Sequence, residues 1–245
     1  MKLLTALGLS AALLLSAQPA AALGTLALRS KAVCIKVVKA EQVKEKRQGR
    51  QYAGGANLKN CDFRGAKLRF AILRGAQLRG ARFTRADLTG ADLRGADLRG
   101  VDFFDAYIAG ANLTDANLTN ADLTAATLNY VTLDRANLTN ANLANTKLIE
   151  ADFLGANLTD ANLTDTYATD ANFTDAILTN ANLSYAYLSY ANLTSANLTN
   201  ANLSDAHLLF VNFTGANLTN ANLTNADSSF AKFTGATMPD GSIRP

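Results

Sequence analysis

The sequence of 245 residues has no tryptophan, one histidine, two cysteines, two methionines and three prolines. A single imidazole, His207, rules out catalytic or metal sites built on paired histidines. Cys34 and Cys61 are too few for a structural zinc site without histidine partners, and His207 lies far along the chain. No glycine-rich phosphate loop of the G-x-x-x-x-G-K-[ST] type occurs. Acidic residues such as Asp115, Asp160 and Asp165 recur at regular surface spacing instead of forming a catalytic pair. Neither an enzyme activity nor a cofactor or metal is therefore expected. Apolar runs are scarce too, and the one at the N-terminus falls short of the ~20 residues that span a bilayer.

That N-terminal run reads as a targeting segment. Lys2 supplies a basic start, and Leu3 to Ala17 are apolar apart from Thr5, Gly8, Ser10 and Ser16. Ala20, Ala21 and Ala22 offer the small residues a signal peptidase requires, which places cleavage after Ala22. Residues 1–22 are thus expected to be a signal peptide, and the remainder a soluble protein outside the cytoplasm.

What the sequence has in abundance is Ala, Leu, Asn and Thr at a fixed period. From Ala56 to Asp240 small residues recur every five positions without insertion or deletion, and Leu or Phe follows two residues later, as in Leu58, Phe63, Leu68 and Leu73. A period of five fits neither a helix nor a continuous strand. It fits an extended triplet followed by a corner, with Ala and Leu turned inward and the intervening Asn or Asp outward. Gly65, Gly75, Gly80, Asn120, Asn140 and Asp160 fill the corner, and these types tolerate a left-handed backbone. The units "ANLTN" and "ADLRG" resemble the A(D/N)LXX pattern of the pentapeptide-repeat family over residues 56–240. The resemblance implies an all-β fold, a right-handed quadrilateral β-helix with four units per coil. Grouped in twenties from Leu58, no coil holds more than one inward Phe among Phe63, Phe83, Phe103, Phe153, Phe173, Phe213 and Phe233, as a fixed-width interior would require.

Residues 23–55 break the repeat and are expected to cap the N-terminal coil, because a solenoid end exposes both core and edge. The tail, 241–245, is too short to cap the other end. Cys61 takes a small inward position in the first coil, and Cys34 lies in the segment that covers it. A disulfide and a pair of buried reduced thiols are both open readings, and export permits the first.

Two departures from the repeat mark surfaces. Phe70, Tyr107, Tyr130, Tyr167, Tyr187, Tyr190, Phe210 and Phe230 point outward at one phase of the twenty-residue period, with His207 among them. Only Phe104 and Tyr185 lie at the preceding phase. Such a side is expected either to contact a protein or to stack as a stiffening ladder. Charge is also segregated. Residues 56–100 carry ten basic residues, including Arg64, Arg69, Arg74, Arg79, Arg82 and Arg85, against four aspartates, a net +6. Residues 23–55 carry eight basic residues against two glutamates, another +6, and residues 101–245 carry four basic residues against fourteen acidic, a net −10. The basic end would suit an anionic membrane surface or an acidic protein.

Function is therefore expected to be that of a non-catalytic scaffold in the periplasm or thylakoid lumen, the latter implied by the resemblance. Its partner would be an unidentified protein, an anionic membrane surface or a second copy in a homodimer, with nucleic acid not expected. Two alternatives are a DNA mimic that binds a topoisomerase, as family members do, and an ice-binding solenoid using the threonine ladder at 119, 139, 159, 179, 199 and 219.

Overall fold

The structure, a computed structural model, describes residues 30–38 and 55–245. The expected signal peptide and most of the segment 23–55 lie outside the described residues. Among those described, no helix is long and apolar enough to cross a membrane.

From residue 57 the centre of each triplet forms a parallel bridge to the residue twenty positions on. One side runs Asn57 to Gln77, Gln77 to Asp97, and so on to Asn217 and Thr237. The five-residue unit is thus one rung and the twenty-residue coil the repeat in space. We number the coils 1 to 9, from 56–75 to 216–235, and the four sides in unit order within each coil. The third side then comprises 66–70 and every twentieth equivalent, to 226–230. Adjacent coils lie ~4.8 Å apart, the spacing of hydrogen-bonded strands.

The hydrogen bonds of one rung recur throughout. The Leu138 N–H donates to the Asn157 carbonyl at 2.7 Å, and the Asn157 N–H donates to the Ala136 carbonyl at 2.9 Å. At the corner the Ala141 N–H reaches back to the Leu138 carbonyl at 2.9 Å, with Asn140 at φ 56°. That is a type II turn, whose third residue must adopt positive φ. The corner types Gly, Asn and Asp do adopt it, but so do Arg85, Ala125, Glu150 and Tyr190. Local propensity is overridden because the corner N–H groups of coils 1 to 8 bond to the next coil, as Tyr190 does to the Leu209 carbonyl at 2.9 Å. Gly55 has a different requirement: a Cβ there would lie 2.1 Å from the Gly75 carbonyl oxygen.

Outward asparagines are structural. The Oδ1 of Asn137 accepts from the Thr139 N–H at 3.0 Å and from its hydroxyl at 2.7 Å. On the second side the carboxamides also link coils, with Asn162, Asn202 and Asn222 each donating Nδ2 to the asparagine twenty residues earlier at 3.0–3.1 Å. The interior is filled by the inward Leu and Ala columns and by ring stacks. Phe63, Phe83 and Phe103 stack at 4.7 and 5.0 Å, Phe153 on Phe173 at 4.7 Å, and Phe213 on Phe233 at 5.1 Å. Two inward threonines, Thr146 and Thr166, are fully buried, and each hydroxyl donates to the carbonyl three residues back, Leu143 at 2.7 Å and Leu163 at 2.9 Å.

A helix, α1, spans 31–38 and buries Cys34 and Val38 on the first coil. The Lys31 Nζ donates to the Arg64 carbonyl at 2.6 Å, satisfying an acceptor with no coil beneath it. Cys34 and Cys61 form a disulfide, S–S 2.13 Å, that ties α1 to the core. At the other end the tail folds back after Gly241, and Ile243 pairs antiparallel with Thr237. The short tail thus covers part of the first side.

Candidate interaction surface

The nine residues expected on one side all lie on the third side, in two columns. Tyr107, Tyr167, Tyr187 and His207 occupy the triplet centre, where strand alternation turns them outward. Phe70, Tyr130, Tyr190, Phe210 and Phe230 occupy corners, at φ 55°, 60°, 64°, 59° and 59°. These five are 44% to 74% exposed. Phe104 and Tyr185 are exposed on the second side.

Stacking joins six of the nine into two ladders in coils 6 to 9. Tyr167, Tyr187 and His207 stack at 4.9 and 4.5 Å with ring planes within 8°. Tyr190, Phe210 and Phe230 stack at 5.1 and 5.0 Å. The facing ring surfaces are thereby occupied within the ladders, and outward contact falls largely to ring edges and, for the three tyrosines, phenol hydroxyls. That geometry suits protein contact over face-on stacking of a sugar or base. Tyr107 and Tyr130 stand apart from both ladders. Phe70 leans across Gly90, where a Cβ would lie 2.6 Å from its ring, and Arg69 sits 5.6 Å from its centroid.

The six basic residues do not share one side. Arg64, Arg69, Arg74 and Arg79 take equivalent positions on four successive rungs and so encircle the rod, while Arg82 and Arg85 add to the second side. Five are ion-paired: Arg64 and Arg82 with Asp62 at 2.7 and 3.7 Å, Arg69 with Asp87 at 3.3 Å, Arg74 with Asp92, and Arg85 with Asp105 at 3.0 Å. Arg79, Lys59 and Lys67 have no ion pair among the described residues. The hydrogen bond from the Arg64 guanidinium lowers the Asp62 pKa to about 2.

Sequence periodicity missed three features. Ile149 and Leu209 also lie on the third side, between the two columns, and Ile149 is exposed. Bulky residues were not expected at left-handed corners. Asp134 has one carboxylate oxygen that is buried and unpartnered, and desolvation together with the Asp152 charge raises its pKa. The last is a clash between rungs eighteen residues apart, which no five-residue pattern displays. Among the described residues no group of three or more His, Cys, Asp or Glu side chains is placed to hold a metal.

A rod of stacked rungs with a filled interior defines a solenoid repeat fold as the class of protein. The chain belongs to the pentapeptide-repeat family, whose repeats match in eight copies over 53–85, 61–100, 102–140, 136–175, 176–208 and 212–240. Among solved structures it is similar to HetL of the cyanobacterium Nostoc sp. strain PCC 7120, a pentapeptide repeat protein involved in heterocyst differentiation regulation. The two share 31% identity over 84% of this chain and 98% of that one, with a TM-score of 0.45. QnrB1, a plasmid-mediated fluoroquinolone resistance protein, is 25% identical over 70% and 88% respectively, TM-score 0.34. A pentapeptide repeat protein of the Arabidopsis thaliana thylakoid lumen is 26% identical over 60% and 71%, TM-score 0.17. No curated protein matches the chain.

Proposed function

We propose that the chain is an exported, non-catalytic scaffold whose third side is a protein-contact surface. Five of the six corner aromatics carry this reading, the sixth being Tyr185 on the second side. Phe70, Tyr130, Tyr190, Phe210 and Phe230 hold positive φ where glycine or asparagine would be unstrained, and all five face solvent from one side. Each left-handed bulky residue costs on the order of 1–2 kcal/mol. Stacking offsets part of that cost for three of them, and Tyr130 has no ring neighbour among the described residues. Strain combined with apolar exposure on one surface fits a contact role better than a role in folding.

Export rests on the apolar run Leu3 to Ala17 with its alanine cleavage site and agrees with an oxidised cysteine pair. The destination is the periplasm or thylakoid lumen. Four triplets and four corners per twenty residues fit the family's right-handed quadrilateral course. The basic collar is a secondary contact, since its arginines are largely neutralised by aspartates. The acidic residues of 101–240 are spread over all four sides, which does not favour a DNA mimic.

Photo-cross-linking in the producing cell tests the reading. A cross-linking side chain at Leu209 should give a discrete adduct, and one at Thr139 on the first side should not. Adducts from both positions, or from neither, would remove the third side as the contact surface.

A further inference from the structure

We propose that the third side docks antiparallel on the third side of a second copy, about a twofold axis at coil 5. The proposal rests on the reading of that side as a contact surface and names its occupant.

A twofold axis lying in the interface across the rods reverses their direction and keeps each column opposite itself. Coil 1 then meets coil 9, coil 2 meets coil 8 and coil 3 meets coil 7. Both rods have the same rise, so register holds along the whole length. In the triplet-centre column this sets Lys67 against Asp227, Asp87 against His207 and Tyr107 against Tyr187. Lys67 has no ion pair among the described residues. In the corner column Phe70 meets Phe230, and the large corners of coils 7 and 8 meet the small ones of coils 3 and 2. Tyr190 faces Gly110, where a Cβ would find nothing within 4 Å, and Phe210 faces Gly90 with the Phe70 ring across it. Between the columns, Ile149, 36% exposed, meets its own copy on the axis. By the same rule Lys147 faces Lys147 and Glu150 faces Glu150 across the axis, like charges that a diagonal pairing of Lys147 with Glu150 of the other copy has to offset; neither has an ion pair among the described residues.

Charge on the third side selects the same orientation. Antiparallel rods lay Lys67 and Arg69 of coil 1 over Asp227 of coil 9 in the second copy, whereas parallel rods would set coil 1 on coil 1 and bring the two Lys67–Arg69 pairs together. Nine rungs at ~4.8 Å by roughly 12 Å give about 500 Å² per copy, so about 1,000 Å² in total, the lower bound for a specific interface. A dimer of micromolar strength, weakened by salt, is the consequence.

Sedimentation velocity of the purified protein over a concentration series provides the test. A reversible dimer is expected. Ile149→Asp should weaken it by about tenfold or more, as loss of a buried central contact does. Lys67→Glu should weaken it, and adding Asp227→Lys to that variant should restore the parent affinity. Circular dichroism of each variant checks folding, and Leu209→Asp gives the same readout should Ile149→Asp perturb its coil. A protein that stays monomeric to about 100 µM, a dimer indifferent to Ile149→Asp, or a charge swap without rescue overturns the proposal. A monomer that still cross-links another protein from Leu209 would overturn this inference alone and leave the contact surface standing.

Discussion

Replacing Leu138 by alanine removes a side chain that is fully buried in coil 5. Loss of transfer energy is about 0.8 kcal/mol for each carbon group removed, and an unfilled cavity adds to it, giving a range of about 2–5 kcal/mol. The upper half of that range is expected. The flanking rungs of the same column, Leu118 and Leu158, are themselves fixed, and the Leu138 N–H is held by the Asn157 carbonyl at 2.7 Å, so the site has little room to collapse. The neighbouring Asn137 points outward, yet its Oδ1 accepts two bonds from Thr139. Asn137→Ala therefore has a cost of its own, about 1 kcal/mol and less than half that of Leu138→Ala. Urea titration of both variants, with slopes compared to the parent, measures the difference. Equal losses would mean that the inward and outward phases have been misassigned.

Reduction, or Cys34→Ser, opens a loop of 27 residues and should lower stability by about 3.5 kcal/mol on the chain-entropy model, read as a fall in melting temperature. Unchanged melting would show that the disulfide does not hold α1 to the core. The Asp62 pKa lies at about 2, below its unfolded value, so its contribution is present above pH ~4 and is lost as pH falls toward about 2. Asp62→Asn should flatten the acid-unfolding curve in that window, and an unaltered curve would remove the Arg64 pairing as its cause. Asp134 is shifted the other way, so its charged form destabilises the fold as pH rises above ~4. Asp134→Asn should raise the melting temperature at neutral pH and lose that gain in acid, and a lower melting temperature at neutral pH would refute the repulsion from Asp152.

Sequence made the inward columns and the third-side aromatics legible because both obey simple periods, five for the rung and twenty for the coil. The Asn and Leu columns, and even the spacing of the interior phenylalanines, follow from those periods alone. What stayed illegible depends on how neighbouring rungs lean on one another. Arg69 and Arg74 find carboxylates eighteen residues on, and Arg85 and Arg135 find them twenty residues away, which turns an expected basic patch into a mostly paired collar. The corner backbone is set by coil stacking, so Tyr190 and Glu150 take a conformation that residue preference would assign to Gly or Asn. For Cys34 and Cys61 the sequence left both a bridge and free thiols open, with the bridge slightly favoured, and the placement of α1 over coil 1 brings the two sulfurs together.

The central claim, that the third-side rings serve contact more than folding, is tested most directly by Tyr167→Ser, Tyr187→Ser and Tyr190→Ser combined in one chain. Thermal melting and association, the latter read as dimer mass and as the Leu209 cross-link, would be measured on the same preparation. The account predicts a retained circular dichroism spectrum, a melting temperature within a few degrees of the parent and loss of association. Collapsed melting with association intact would contradict it and leave the ladders as stiffening elements.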